Sequence, residues 1–146
     1  MSEKLTIPSE YRLTMARVFG KSAHFGQLDD AGKDYFNAHC MQVFEIIKII
    51  KPDDINLQIA AMLHDTIEDT SVTYEELKRI FGSTVADLVF EVTHVRKPDD
   101  SGWYFPNLKS LSGGLIKFAD RLSNLSRMDV WAQVRADAYY EKSKFW

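Results

Sequence analysis

One cysteine, Cys40, occurs in the 146 residues, so no internal disulfide can form. A reducing, cytoplasmic setting is the simplest expectation for such a chain. No apolar run approaches the roughly 20 residues that a membrane-spanning helix needs, so no membrane partner is expected. The opening residues MSEKLTIPSEYR lack the basic-then-apolar layout of a secretion signal. An excess of positive charge is missing as well, the formal net charge being −3. Polymeric nucleic acids and anionic lipid surfaces want a basic face, and both are excluded as broad partners. A small polyanion is not excluded, because a local cluster of Lys and Arg can oppose the global sign. Repeats, low-complexity tracts and long linkers are absent, and the length suits one domain over residues 1–146.

The periodicity that remains is helical nearly throughout. A first helix is expected from a Ser9 cap to Lys21 or His24. The segment between Gly26 and Gly32 reads as a loop. A second helix, 35–50, carries Val43, Ile46, Ile47 and Ile50 on one side and ends at Lys51-Pro52. Asp53 or Asp54 can cap a third, over about 56–69. Thr73 and Glu76 form a capping box for a fourth that stops at Gly82. A fifth is predicted over 83–93, a sixth over 115–128 and a seventh over 130–144. Residues 94–114, punctuated by Pro98, Gly102, Pro106, Gly113 and Gly114, read as irregular, with no convincing strand pair. Seven helices with short connections predict an all-α bundle.

The stretch IAAMLHDTIEDT, residues 59–70, carries the chemistry. An apolar helical pattern holds His64, Asp65, Glu68 and Asp69 in its last two turns. One imidazole and three carboxylates there are costly to desolvate without a cation. A divalent metal would compensate them. On one helix His64 neighbours Glu68, and Asp65 neighbours both Glu68 and Asp69. His64 and Asp65 stand about 100° apart around the axis, so one ion can meet both only from beside the helix. Two further ligands are available: His39 near the start of the second helix, and Asp120 in LIKFADRLSNLSRM. There Phe118, Leu122 and Leu125 form an apolar stripe, with Lys117, Asp120, Arg121 and Asn124 toward another side. Alone, His39 reads as a helix-start histidine and Asp120-Arg121 as a surface ion pair. Together, two imidazoles and two carboxylates suit Mn²⁺, Fe²⁺ or Zn²⁺. Such an ion lowers the pKa of a bound water and polarises a phosphoryl oxygen.

The order His39, His64-Asp65, Asp120 resembles the ligand pattern of the HD-domain metal phosphohydrolases. More narrowly, the chain resembles the hydrolase domain of RelA/SpoT proteins and the stand-alone small alarmone hydrolases. The matching pieces are AHFGQ (23–27), the 32–39 segment, AAMLHDTIEDT (60–70), the 73–82 helix, VTH (92–94) and KFADRLSNL (117–125). The resemblance implies an HD-type helical bundle that binds one Mn²⁺ through His39, His64, Asp65 and Asp120. Glu68 and Asp69 would position and deprotonate the attacking water. Asn124 would face the nucleotide sugar or its phosphates. The implied reaction removes pyrophosphate from the ribose 3′ position of ppGpp or pppGpp, giving GDP or GTP. The chain departs from the usual pattern at three places. Asp29 stands where many relatives have arginine. Tyr35 lies four residues before His39, where relatives place a tyrosine three before. Ser123 replaces the frequent His or Tyr.

Cations should line a pocket for so charged a substrate. Lys117 and Arg121 lie one turn apart beside Asp120, and Arg121 is the foremost phosphate candidate. Lys33 is a weaker one, with Lys21, Arg96, Lys97 and Lys109. His24, before Gly26-Gln27, can donate to the site from behind. Trp103, Tyr104 and Phe105 can stack on a base or close over the site, or pack onto the bundle. Two other functions fit the same residues: an HD-type nucleotidase acting on another 3′-phosphorylated nucleotide, and a non-catalytic nucleotide-binding module. The sequence carries no sign of an oligomeric state.

Overall fold

A computed structural model describes residues 6–127, 137, 139–141 and 143. Its helices are α1 (Ser9–Ala23), α2 (Met41–Ile50), α3 (Ile55–Met62), α4 (Thr66–Asp69), α5 (Tyr74–Phe81), α6 (Ser83–Val92) and α7 (Leu111–Leu125). A π-helical turn, Phe36–Cys40, leads into α2. The expected all-α architecture is what the described residues form. The C-terminal helix expected over 130–144 lies for the most part outside them.

α3 is the axle of the bundle. It packs against α1, α2, α6 and α7, and Leu57, Ile59, Ala60, Ala61 and Met62 are all buried. A helix with partners on every side needs apolar residues all round rather than on one stripe. Its one polar core residue, Gln58, is satisfied by donating to the carbonyls of Lys51 and Pro52, both at 2.9 Å. Asp54, not Asp53, caps the helix, accepting from the Leu57 amide at 3.0 Å. Pro8 occupies the cap position of α1, so Ser9 is its first helical residue. Thr73 caps α5 through the Glu76 amide. Gly82, with φ of 93°, supplies the left-handed turn that separates α5 from α6.

Several expectations are corrected. The helix predicted over 56–69 is broken between Met62 and Thr66. α7 starts at Leu111, because Ser110 caps it by accepting from the Gly113 amide at 2.9 Å. Gly113 and Gly114 are therefore helical, and a β-carbon on Gly113 would collide with the Glu91 carboxylate. That carboxylate is itself held by the amides of Lys109 and Ser110. The segment thought irregular contains an antiparallel ribbon, β1 (Val95–Arg96) with β2 (Trp103–Tyr104). Two-residue strands give no readable alternation. α7 is also inverted relative to its apolar stripe. Phe118 and Leu122 are exposed, whereas Ile116, Lys117, Ala119, Asp120, Arg121 and Ser123 face inward. Charged residues can take the inner face because they pair there with one another and with two histidines.

Gly20 is where α1 meets the π turn. A β-carbon there would lie 2.5 Å from Phe36 Cε2 and 3.2 Å from Leu63 Cδ2. Both neighbours are buried and flank the metal-site residues. Gly20→Ala is expected to destabilise the protein by about 1–3 kcal/mol, the scale of overpacking a filled core. Urea denaturation of the two proteins would measure it.

Candidate metal centre

Three local irregularities bring the ligands together. The π turn holds more residues per turn than an α-helix, so it accommodates an extra residue between Tyr35 and His39. The Tyr35 hydroxyl donates to Asp65 Oδ2 at 2.6 Å. The break after α3 is the second. His64 Nδ1 donates to the Ala61 carbonyl at 2.8 Å, and the Thr66 hydroxyl donates to the Leu63 carbonyl at 2.7 Å. These side chains satisfy carbonyls that a continuing helix would have paired. Asp65 thus sits in a turn, with φ −99° and ψ 0°, rather than on a helix face. The third is the inward polar face of α7, which delivers Asp120.

Donor atoms of His39, His64 and Asp120 group together, and Asp65 Oδ2 approaches both ring nitrogens. His39 Nε2 lies 3.0 Å from Asp120 Oδ1, 3.4 Å from Asp65 Oδ2 and 3.2 Å from His64 Nε2. His64 Nε2 lies 3.1 Å from Asp65 Oδ2 and 3.5 Å from Asp120 Oδ1. Donors about 2.1 Å from one ion, at angles between square and tetrahedral, stand about 3.0–3.4 Å apart. The donor set therefore fits a divalent metal. Tautomers agree with that reading. The His64 Nδ1 proton is committed to Ala61, so a neutral ring presents the Nε2 lone pair to the cluster. Ser123 gives its proton to Gln42 Oε1 at 2.6 Å and so accepts from His39 Nδ1 at 3.0 Å. Arg127 Nη2 also approaches His39 Nδ1, at 3.0 Å, and competes for it with Ser123, since its donation requires the opposite tautomer.

Burial works against charge on both rings, but the carboxylates outweigh it. Asp120 and Asp65 raise His39, and Asp65 and Asp120 hold His64 well above its ordinary value. Burial likewise opposes ionisation of the aspartates. His64 and His39 nevertheless hold Asp65 well below the usual carboxylate range, and His39, His64 and Lys117 do the same for Asp120. An ion would take the place of the ring protons. Cys40 lies nearby in an overlapping group with His64 and Asp65. Burial, then the charge of Asp65, pushes its thiol well up, which disfavours the thiolate that metals bind.

The mouth of the centre is a small cavity of about 150 Å³, lined in part by Tyr35, Asp65, Glu68, Asp120, Arg121 and Asn124. Glu68 Oε1 accepts from both the backbone N–H and Nδ1 of His94, each at 2.8 Å. Lys117 Nζ lies 3.4 Å from His94 Nε2 and donates to Asp120 Oδ2 at 3.1 Å. Lys117 is itself buried. Asp69 is outside this cavity and more exposed, accepting from Gln27 Nε2 at 3.4 Å. Partial burial, then the charges of Asp65 and Glu68, push it up to about 6.

The other sequence-derived candidates are distributed unevenly. Arg121 is buried beside the mouth, with its guanidinium 4.6 Å from the Tyr139 ring centre and 5.9 Å from that of Phe105. Asn124 Nδ2 contacts Tyr139 at 2.8 Å and Asp120 Oδ1 at 3.4 Å. Lys117 touches the centre through Asp120. Lys33 does not reach it: the residue is exposed along an outer groove with Asp29, Asp30 and Arg127. His24 is buried and its Nδ1 donates to Gln27 Oε1 at 2.7 Å, so it lies behind Gln27 rather than at the mouth. Of the three loop aromatics, Phe105 packs edge-on to His94 and near Lys117, while Trp103 and Tyr104 are half exposed. Asp29 pairs with Arg127 at 3.3 Å and accepts from the amides of Ala31 and Lys33.

Sequence reasoning gave no role to Tyr35, Gln42, Gln27 or His94. His94 was visible only as the end of VTH. Its partner Glu68 is 26 residues away, and no periodic pattern links them.

The HD domain family matches residues 16–102. Asp120 lies beyond that match. A GTP pyrophosphokinase of Myxococcus xanthus is 34% identical over 128 residues, covering 78% of this chain and 17% of that protein. The bifunctional (p)ppGpp synthase/hydrolase SpoT of Escherichia coli K12 is 40% identical over 125 residues, covering 78% of this chain and 18% of SpoT. The chain thus spans less than a fifth of the curated relatives it matches. A solved structure, a metazoan ortholog of SpoT that hydrolyses ppGpp, superposes with a TM-score of 0.78 at 28% identity. That likeness covers 96% of this chain and 85% of the other.

Proposed function

Because the chain belongs to the HD domain family, we propose that it is a metal-dependent hydrolase acting on the ribose 3′-pyrophosphate of ppGpp or pppGpp. The products would be pyrophosphate and GDP or GTP. The carrying observation is that His39 and His64 present their Nε2 atoms to each other, to Asp120 and to Asp65, every one of these contacts measuring 3.0–3.5 Å, with Glu68 at the same mouth. Support for the substrate comes from the metazoan SpoT ortholog, similar over nearly the whole chain. We assign Mn²⁺ as the ion, with Fe²⁺ or Zn²⁺ compatible with the same ligands.

When bound, the ion activates water and polarises the phosphoryl oxygens. Glu68 takes the water proton as oxygen attacks the phosphorus attached to the 3′ oxygen. The bond from that phosphorus to the 3′ oxygen breaks, and the proton that Glu68 took is passed to the leaving 3′ oxygen, restoring both the ribose hydroxyl and the base. Asp69, held by Gln27, orients the water. Lys117 and Arg121 offset charge on the phosphates, and Asn124 faces the sugar. No helix among the described residues is long and apolar enough to cross a membrane.

A second reading keeps the centre and changes the nucleotide. It is favoured by Asp29, which puts an acid in a position usually cationic in relatives and binds Arg127 there. Incubating Mn²⁺-loaded protein with ppGpp and chromatographing the products separates the two. Pyrophosphate with GDP is expected. Inorganic phosphate, or turnover only of other 3′-phosphorylated nucleotides, would favour the second. Tight nucleotide binding without turnover would favour a binding module.

A further inference from the structure

His94 belongs to no metal-ligand set, yet it touches the group assigned as the base. Its backbone N–H and its ring Nδ1 both point at one oxygen, Glu68 Oε1, each at 2.8 Å. A carboxylate oxygen accepts and cannot donate, so Nδ1 carries a proton. The Nε2 lone pair then accepts from Lys117 Nζ at 3.4 Å. Lys117 is committed on its other side to Asp120 Oδ2 at 3.1 Å. Glu68, His94, Lys117 and Asp120 thus form one hydrogen-bonded line from the base to a metal-ligand carboxylate. Phe105 closes the outer side, its ring edge-on to His94 at 6.1 Å between centres.

We infer that His94 is a positioning residue that clamps Glu68 Oε1 and reserves Oε2 to take the proton of the attacking water. A free glutamate at a helix end samples several rotamers. Two donors on one oxygen restrict it to one orientation at the mouth. The backbone bond alone leaves the carboxylate free to swing about that oxygen; the ring bond removes that freedom. The same line fixes Asp120, since Lys117 occupies Oδ2 and leaves Oδ1 for the cluster. This assignment rests on the hydrolase reading for its catalytic meaning, but the clamp itself is measurable without turnover.

The test uses the full chain with three substitutions. Asparagine places an amide N–H where Nδ1–H stands, glutamine extends it toward the Nε2 position, and leucine supplies neither. With Mn²⁺ and ppGpp, His94→Leu and His94→Gln are expected to lower kcat about 10- to 100-fold, the scale of a misplaced reacting group. KM and Mn²⁺ affinity should stay within about threefold, because His94 lies outside the candidate ligand set and Lys117 still donates to Asp120 Oδ2 without it. His94→Asn should restore most of kcat. Parental kcat in His94→Leu, equal losses in the Leu and Asn variants, or losses that track Mn²⁺ affinity would each overturn the assignment. Should the leucine variant not fold, the Asn–Gln contrast decides. Nitrogen-15 spectra of the parental protein should show His94 as the Nδ1–H tautomer, and Glu68→Ala should shift that population. A parental Nε2–H tautomer overturns the clamp. Failure of the parental protein to hydrolyse ppGpp would instead sink the hydrolase reading and leave the spectra to judge the clamp.

Discussion

Asp65→Ala is expected to abolish divalent-metal binding and ppGpp hydrolysis together. Asp65 Oδ2 faces both ring nitrogens, at 3.1 Å from His64 Nε2 and 3.4 Å from His39 Nε2. It is one of only two anions in the donor set. Removing it leaves Asp120 alone to balance an ion of charge two in a buried site, where uncompensated charge is costly. The loss should exceed the roughly 10- to 100-fold drop in metal affinity typical of changing an outer partner. Tyr35→Phe provides that comparison, since it removes only the hydroxyl that donates to Asp65 at 2.6 Å. Thermal unfolding gives a readout independent of activity. A ligand that binds only the folded state stabilises it by mass action. Parental protein should therefore melt higher as Mn²⁺ is added, Tyr35→Phe should need about ten times more ion or beyond, and Asp65→Ala should not respond. An Asp65→Ala protein that still melts higher with Mn²⁺ at parental concentrations would remove Asp65 from the ligand set.

How much of this centre the sequence disclosed follows from the range of each interaction. His64, Asp65, Glu68 and Asp69 lie within six residues, so a local pattern exposes them. His39 and Asp120 were available only as candidates on separate helices, which the family pattern then ordered, because 81 positions separate them and nothing periodic ties them. Helix identities were legible where apolar spacing repeats, as in α2, and where a capping box and a glycine mark the ends, as in α5. The break after Met62 was not, since it is made by side chains of His64 and Thr66 bonding to carbonyls behind them. Apolar periodicity runs straight through such a break. The inward face of α7 was misread for a related reason. Phe118 and Leu122 form the apolar stripe of α7, yet both are exposed while Lys117, Asp120 and Arg121 are buried, Lys117 paired there with Asp120. The ribbon escaped because its strands hold two residues each. Ser123 looked like a plain departure. In the fold it bridges Gln42 to His39 Nδ1, a nitrogen that Arg127 also approaches.

Glu68→Gln is expected to keep the ion and lose most turnover, by about 10²- to 10⁴-fold in kcat, the usual contribution of a positioned general base. The substitution is chosen for its geometry. Glutamine retains an oxygen for the two donors of His94, so the side chain can remain clamped. What it loses is Oε2, replaced by an amide nitrogen that cannot take a proton. Glu68 is not among the four candidate ligands, so Mn²⁺ titration should give an affinity close to parental. Asp69 is the rival base, and its carboxyl, pushed up to about 6 by partial burial and then by Asp65 and Glu68, is basic enough to be one. The two differ in place. Glu68 lines the mouth with Asp65 and Asp120, whereas Asp69 sits outside it against Gln27. If place governs, Glu68→Gln is the more damaging change and Asp69→Asn a milder one. If basicity governs, the order reverses, and a Glu68→Gln protein turning over ppGpp at the parental rate would hand the proton to Asp69.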